Sequence, residues 1–333
     1  MDLSIVICTR NRATRLPELF SSICNLNEPG IDWEIVFVDN NSSDNTLDIL
    51  KDFASTSPMS IQVVREKKDG LSNARNAGIH AARGTIISFT DDDCYPQEDW
   101  LISIVEAFNE SGASFVGGRV LLYDINDAPI TIQISMQPKI FEAKCHIESG
   151  EIIGANLSCT KELLTAVGGF DPSLGAGTSL QSGEDTDILI RASLLGFVGR
   201  YVPSIVVFHH HGRKIGKDVV KLYRGYAHGR GALSMKTVMD SNYNSLYLKN
   251  WYWRMRSLLK KGQIDYCWHE VRGAVHFLWL RWFRAPVVTA SFSAGKDPSF
   301  EVWRFDRHVN ENRLSTKTSV GEHDADMNRT PNL

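Results

Sequence analysis

The chain has 333 residues, of which 43% are hydrophobic and 23% charged, a composition typical of a soluble globular protein. Its net charge of −3 conceals an asymmetry: residues 1–211 carry 15 basic and 28 acidic residues, a net of −13, whereas residues 212–284 carry 15 basic and 4 acidic residues, a net of +11. The acidic half argues against nucleic acid as its partner, and the absence of any run of 18 apolar residues argues against a transmembrane helix.

Strand and helix signals alternate along the first 110 residues. Short apolar runs predict strands over 3–9, 33–40, 61–66 and 85–91. Apolar residues at helical spacing predict helices over 15–26, 42–54, 70–82 and 97–108. This alternation predicts an α/β fold with a doubly wound, mostly parallel sheet, which binds ligands beyond the carboxyl ends of its strands.

The second half of the chain changes character. Residues 116–145 give no firm pattern, residues 151–174 predict a strand followed by a helix, and residues 182–197 predict a helix that opens with acidic residues. A strand over 199–214 ends in three histidines, and three helices are predicted over 218–239, 245–262 and 266–283. The last 20 residues are polar without periodicity, which predicts a flexible tail.

An acidic triplet, Asp91–Asp93, follows the fourth predicted strand. Because side chains alternate along a strand, Asp91 and Asp93 point the same way if the strand continues. Two such carboxylates suit a hard divalent cation such as Mg²⁺, which removes their repulsion and attracts phosphates. The alternative is a solvated acidic turn that caps the next helix.

Polar residues after the first two strands should lie at the same sheet edge as the triplet. Arg75 adds a forked phosphate donor on a helix rich in small residues, although these residues also indicate close helix–sheet packing. Asp39 has the position of a carboxylate that accepts hydrogen bonds from a base or ribose. The candidate residues for binding a phosphate-containing ligand at this edge are therefore Thr9, Arg10, Asn11, Arg12, Asp39, Asn41, Arg75, Asp91 and Asp92.

Six blocks, taken together and in order, resemble the family 2 glycosyltransferases of the GT-A fold. These blocks are SIVICTRNR, EIVFVDNNSSDNT, GLSNARNAGI, ISFTDDDC, GANLSCTKELLTAVGGFD and GEDTDILIRASLLGFVGRYVPSIVVFHHH. The resemblance covers about residues 3–211. One departure is Asn40, where many members carry a second aspartate, which affects how the nucleoside would be held.

The resemblance implies roles for the acidic residues. Asp91–Asp93 is similar to the family's DxD metal motif, with Asp93 as the direct ligand of Mg²⁺ or Mn²⁺ and Asp91 or Asp92 nearer the ribose or sugar. Asp185 matches the catalytic base of an inverting transfer, which takes the proton of the acceptor hydroxyl. Glu184 is the rival base, and the plain alternative for both is an acidic first turn of a helix.

A histidine near residues 209–211 approaches the metal or diphosphate in similar proteins, and we favour His209. His209 and His211 share one face of an extended chain, whereas His210 faces away. The alternative is a surface turn.

Five of the eight tryptophans lie in residues 251–282, mixed with Arg and Lys. Basic helices with aromatic faces lie well on an anionic membrane surface, where each basic residue contributes about 1 kcal/mol. The alternative is that these aromatic side chains pack on the catalytic domain or on a second copy of the chain in a homo-oligomer.

These observations predict a GT-A domain over residues 1–212, a basic, Trp-rich helical extension over 213–310 and a tail over 311–333. We expect a metal-dependent glycosyltransferase that moves a sugar from a nucleotide-sugar, a UDP-sugar in our prediction, to a glycan or a lipid-linked acceptor in surface polysaccharide synthesis. The alternatives are a non-catalytic binding subunit of the same fold and a sugar nucleotidyltransferase. The N-terminus has no signal-peptide pattern, so we expect a cytoplasmic protein, at the inner face of the cell membrane if the basic helices contact lipid.

Overall fold

The computed structural model describes residues 1–240, 244–283 and 300–306. Within these ranges, ten strands form one sheet that has helices on both faces. The strands are β1 Leu3–Thr9, β2 Trp33–Asp39, β3 Ile61–Glu66, β4 Ile86–Asp91, β5 Cys94–Pro96, β6 Phe115–Leu122, β7 Lys139–Phe141, β8 Leu157–Thr160, β9 Gly199–His209 and β10 Phe300–Phe305. The helices are α1 Leu16–Cys24, α2 Thr46–Thr56, α3 Leu71–Ala81, α4 Trp100–Ser111, α5 Lys161–Val167, α6 Glu184–Leu195, α7 Lys217–Asp240, α8 Asn244–Lys260 and α9 Ile264–Phe283, with a 3₁₀ turn at Gly154–Asn156.

The sheet has the order β10-β3-β2-β1-β4-β8-β6-β9-β5, with β7 paired to β9 beside this path. Its N-terminal part, β3-β2-β1-β4, is parallel, and the pairs that β8 makes with β4 and β6 are antiparallel. The register places Thr9 opposite Asp39 and Cys8 opposite Asp91. This arrangement confirms the predicted α/β class with its mostly parallel central sheet, and it places the polar strand ends at one edge.

Alternating residues of the parallel strands fill two cores. Val6, Val36 and Val64 pack with α3 on one face, whereas Ile7 and Phe37 pack with α1 and α2 on the other. All of these strand residues are buried, as expected of parallel strands that have helices on both sides. The two cores fix the strands rigidly, so the side chains at their carboxyl ends have defined positions.

Four strands were not firmly predicted: β6 and β7 fall in the region of residues 116–145, which has no firm pattern, and β5 and β10 were not indicated at all. β4 ends at Asp91, the chain turns through Asp92 and Asp93, and β5 begins at once, so Asp91 and Asp93 do not lie on one continuous strand. β10 lies within the predicted helical extension yet pairs antiparallel with β3. The predicted tail, residues 311–333, lies outside the described residues.

The predicted C-terminal helices are present as α7, α8 and α9. α7 and α9 cross closely because each has a glycine at the contact: a β-carbon on Gly231 would lie 1.8 Å from the Glu270 carbonyl oxygen, and one on Gly273 would lie 1.9 Å from the His228 carbonyl oxygen. Among the described helices, none combines the length and the apolar character needed to cross a membrane.

Candidate active site

A cleft of about 600 Å³ opens at the carboxyl ends of β1 and β4. Its walls come from the N-terminal parts of α3 and α6, the end of β9 and one side of α7. This volume fits a small-molecule ligand. The predicted site residues that line the cleft are Thr9, Arg10, Arg12, Arg75, Asp91, Asp92, Asp93, Glu184, Asp185 and His209.

Arg75 links the acidic triplet to the start of α6. Its Nη2 lies 3.2 Å from an oxygen of Asp91, and its Nη1 lies 3.1 Å from an oxygen of Glu184. A β-carbon at residue 154 would lie 2.8 Å from the guanidinium, so Gly154 provides the space for it. Burial disfavours the charge of Arg75, but the two carboxylates outweigh burial and raise its pKa. Arg75 is therefore a fixed positive charge at the base of the cleft.

Asp92 lies on the side of the cleft formed by β1. The Thr9 hydroxyl donates a 2.7 Å hydrogen bond to it, and Nε of Arg12 lies 3.4 Å away. Burial raises the pKa of Asp92 to about 7 despite the nearby Arg12. This carboxyl group thus links Thr9 and Arg12 to the acidic turn.

Asp93 and His209 face each other across the β5–β9 pair. Nε2 of His209 lies 3.5 Å from Asp93, and its Nδ1 lies 3.3 Å from the carbonyl oxygen of Thr131. Burial lowers the pKa of His209, but the hydrogen bond and charge of Asp93 outweigh burial and raise it, so without a cation Nε2 carries a proton that faces Asp93. A bound cation would take the place of that proton. An imidazole held in this way by a backbone carbonyl is the usual arrangement of a metal-ligating histidine.

The donor set at Asp93 therefore suits a divalent cation. Burial opposes the charge of Asp93, but the hydrogen bond and charge of His209 outweigh it and lower the carboxyl pKa, so Asp93 is ionised. Cys94 also lies near these two residues. Because burial raises the pKa of the Cys94 thiol well above its ordinary value, the thiol stays protonated and is a poor ligand for hard cations. Asp91 is not part of this group and contacts Arg75 instead.

Glu184 and Asp185 begin α6 in different environments. Burial, with the charge of Asp185, raises the pKa of Glu184 to about 7, and Glu184 lies against Arg75. Asp185 is half-buried, and its two oxygens accept hydrogen bonds from the backbone N–H groups of Gly154, at 3.0 Å, and Thr186, at 2.6 Å. These donors fix the Asp185 carboxylate at the cleft wall, whereas Glu184 is occupied by Arg75.

β2 ends at Asp39, which does not line the cleft, and the next residue, Asn40, does line it. Asp39 is fully buried, and its Oδ1 has no hydrogen-bond partner among the described residues. A buried carboxylate oxygen without a donor fits the predicted nucleoside contact, which would supply an N–H or O–H group. Asn40 accepts a 2.9 Å bond from the Gly70 N–H and donates a 2.7 Å bond to the Lys68 carbonyl, so it holds the start of α3.

Three other predicted donor-binding residues lie at the rim or outside the cleft. Arg10 lines the rim and pairs with Asp69 at 3.0 Å. Asn11 and Asn41 adopt left-handed backbone conformations, with φ of 54° and 58°. Asn11 accepts a hydrogen bond from the Ser43 N–H, and Asn41 donates one to Asp69, so the two asparagines stabilise turns.

α7 contributes cleft residues that were not predicted from the sequence. Tyr223, Tyr226 and Arg230 line the cleft, and Tyr226 shares a 2.8 Å hydrogen bond with Thr131. Nε of Arg230 lies 3.3 Å from Glu270 of α9. The spacing of the three residues, i, i+3 and i+7, places them on one helix face, a pattern that is readable from the sequence.

The three histidines after β9 have separate surroundings. His210 faces outward, near Tyr95 and Glu18, whereas His211 is buried and lies 3.0 Å from the Ala128 carbonyl oxygen. His209 is the one of the three that lines the cleft.

Comparison with known proteins identifies a family. Residues 4–164 match the family described as "Glycosyl transferase family 2". The chain is 30% identical over 118 residues to glycosyltransferase AglE of Haloferax volcanii, an alignment that covers 35% of this chain and 39% of that protein. The chain spans less than two thirds of the length of the curated relatives it matches.

Two solved structures share the fold. One is S. aureus TarS 1-349 in complex with UDP-GlcNAc, with a TM-score of 0.57 and 15% identity, covering 86% of this chain and 74% of that one. The other is mannosyltransferase PcManGT from Pyrobaculum calidifontis in complex with GDP-Man and Mn²⁺, with a TM-score of 0.57 and 18% identity, covering 83% of this chain and 87% of that one.

Proposed function

The N-terminal half of the chain, residues 4–164, belongs to glycosyl transferase family 2, and from this membership we propose an inverting sugar transfer from a nucleotide-sugar donor. The single observation that carries the proposal is that Asp185 and the Asp91–Asp93 turn line one cleft. An acid that could activate an acceptor hydroxyl is thus near the groups that would hold a diphosphate. Had these groups lain on opposite sides of the molecule, no single site could perform the transfer.

Asp185 is the proposed catalytic base. In an inverting transfer, the acceptor oxygen forms a bond to the anomeric carbon while the bond from that carbon to the diphosphate breaks. The hydroxyl proton passes to the base, and the nucleoside diphosphate leaves with the bonding electrons. The hydrogen bonds from the Gly154 and Thr186 N–H groups hold the Asp185 carboxyl group in place. Glu184 is the weaker candidate because Arg75 already occupies it.

The donor would lie along the edge formed by β1, β2 and β4. Asp39 would accept a hydrogen bond from the nucleoside, and Arg12 would contact the diphosphate. Asp93 and His209 would hold a divalent cation, Mg²⁺ or Mn²⁺, whose charge would stabilise the leaving diphosphate. The structural neighbours bind UDP-GlcNAc and GDP-Man, and of these two nucleotides we propose UDP.

The acceptor would enter along α7. Tyr223 and Tyr226 line the same cleft as Asp185, and aromatic rings suit the apolar face of a sugar ring. We propose a glycan or a lipid-linked glycan as the acceptor, in the synthesis of a surface polysaccharide. No feature of the described residues favours a non-catalytic subunit or a sugar nucleotidyltransferase.

Replacement of Asp185 by Asn tests the proposal. Asp185→Asn should retain donor binding, measured by calorimetry with UDP-GlcNAc and related sugar nucleotides, while kcat falls on the order of 10²–10⁴-fold. Glu184→Gln is the comparison variant, and its kcat should fall less. Full transfer by Asp185→Asn would remove Asp185 from the role, and a larger loss in Glu184→Gln would assign the role to Glu184. If no sugar nucleotide binds the wild-type chain, the proposed function fails.

A further inference from the structure

An apolar stripe runs along the solvent side of α9. Six apolar residues recur at helical spacing, so their directions around the helix axis fall on one face. The exposed fraction of these residues ranges from 41% for Val271 to 75% for Trp282. The stripe consists of Ile264, Trp268, Val271, Val275, Trp279 and Trp282.

α8 adds a second exposed apolar row. Leu248, Tyr252 and Leu259 recur at spacings of four and seven residues, and each is at least half exposed. Trp253 is also exposed, and the Arg256 guanidinium lies 5.3 Å from its ring centre. We call the exposed residues of α8 together with the α9 stripe the outer face.

The inner sides of the same helices are already packed. Trp251 donates a 3.1 Å hydrogen bond to the buried carboxylate of Glu270, and Arg254 donates one of 2.8 Å. α9 packs against α7 through Gly231 and Gly273. The aromatic residues of this region therefore divide between an inner side that packs on the protein and an outer face that does not.

The net charge of the two helices that form the outer face is positive. Residues 244–283 carry seven basic and two acidic residues, a net of +5, and α8 has no acidic residue. Both acidic residues form ion pairs with arginines of α7: Asp265 lies 2.8 Å from Arg224, and Glu270 lies 3.3 Å from Arg230. Lys249, Lys260 and Arg272 make no ion pair with any carboxylate of the described residues. A second copy of this face would repel the first, whereas an anionic surface complements it.

We propose that the outer face docks on a membrane surface rich in anionic lipids. The aromatic and aliphatic side chains would enter the interfacial layer, and the flanking Lys and Arg residues would pair with lipid phosphates. α8 and α9 would lie in the plane of the membrane, consistent with the lack of a spanning helix among the described residues. This proposal goes beyond the proposed function, because lipid binding does not depend on the transfer reaction.

The full chain can be tested by co-sedimentation with vesicles. The probes are phosphatidylcholine vesicles and the same vesicles with about one third phosphatidylglycerol. We expect binding to the anionic vesicles, a blue shift of tryptophan emission, and a decrease in binding between about 0.1 M and about 0.5 M salt. Trp279→Ser/Trp282→Ser should weaken binding on the order of tenfold.

The matched control is Ile125→Ser/Leu195→Ser, which removes two exposed apolar side chains far from α8 and α9 in the chain. It should bind vesicles as the wild type does, and circular dichroism should show that both double variants are folded. Equal binding by the tryptophan variant and the wild type would overturn the proposal, as would an absence of binding to anionic vesicles. A concentration-dependent dimer that the tryptophan double variant abolishes, without vesicle binding, would instead assign the face to a second copy. Sugar-transfer activity is not a readout, so failure here leaves the proposed function standing.

Discussion

At the scale of single residues, one guanidinium divides the acidic groups of the cleft into two sets. Arg75 pairs with Asp91 and Glu184, which places these two carboxylates in a buried ion network. Asp93 and Asp185 lie outside its contacts and have their own donors, His209 and two backbone N–H groups. Acidic residues that lie close together in the sequence therefore have different surroundings, because their partners differ.

The buried state of Glu184 predicts a pH dependence of stability. Burial raises its pKa from 4.5 to about 7, so between these values the folded protein holds a proton that the unfolded chain has released. The contribution of Glu184 to the free energy of unfolding is therefore present below pH 4.5 and is lost as the pH rises to about 7. Urea unfolding over this range should show a shallower decline in Glu184→Gln than in the wild type. The exposed Glu98→Gln is the control, and identical pH profiles for all three proteins would contradict the burial argument.

The metal assignment predicts a difference between neighbouring histidines. Excess EDTA should abolish turnover, and added Mn²⁺ or Mg²⁺ should restore it. His209→Ala should raise the Mn²⁺ concentration needed for half-maximal rate by on the order of 10–100-fold, because Nε2 of His209 faces Asp93. His210→Ala, which alters a ring near Tyr95 and Glu18, is the matched control. Unchanged rates in EDTA, or equal effects of the two substitutions, would remove the metal from this position.

At the scale of elements, the position of the turn at residues 181–183, which leads into α6, depends on how closely α7 approaches it. A β-carbon on Gly229 would lie 2.6 Å from the Ser182 carbonyl oxygen, within this turn. α7 thus supports residues 181–183 from one side and meets α9 on another. Glycine is required here for close approach of helix and backbone.

Gly229→Ala should displace this turn. Overpacking of this kind costs about 1–3 kcal/mol of stability, and the shift of Asp185 should lower kcat as well. Thermal unfolding and steady-state rates would measure both effects. Gly216→Ala is the control, because its nearest atom lies 3.9 Å from the added carbon. If Gly229→Ala matched the control in both measurements, the turn would not depend on this contact.

The elements also show what the sequence could predict. The parallel strands were predicted within one residue at each end, because both faces of each strand are buried and the sequence shows continuous apolar runs. β5 has three residues, and its existence depends on pairing with β9, which no local pattern reveals. The separate partners of Asp91 and Asp93 follow from that turn. The cleft residues of α7 were readable as one helix face, but only the fold shows that this face borders the site.

At the scale of the whole molecule, β10 closes the edge of the sheet beside β3. Trp303 and Phe305 pack on one core, whereas Phe300 and Val302 pack on the other. The six paired positions also satisfy the backbone groups of β3. A strand from the end of the described chain thus completes the sheet.

Truncation should reveal this role. A chain that ends at residue 299 would lose the packing of β10. Full burial of a large apolar side chain stabilises a protein by about 1.5–3 kcal/mol, and each partly buried side chain of β10 would contribute a fraction of this free energy. It would also expose the β3 edge, so we expect a lower melting temperature and aggregation in size-exclusion chromatography. A chain that ends at residue 306 keeps β10 and is the control. Equal stability of the two truncated proteins would show that the β10 pairing contributes little.

The pairing of β3 with β10 has a consequence for synthesis. Residues 61–66 can pair with residues 300–305 only after the ribosome has synthesised the chain between them. This synthesis takes on the order of 10–50 s at rates of about 5–20 residues per second. Throughout that interval the nascent chain carries a Val-rich β-edge that has no intramolecular partner. An unpaired strand edge is prone to aggregation, so chaperone binding to the growing polypeptide would protect β3 during this interval.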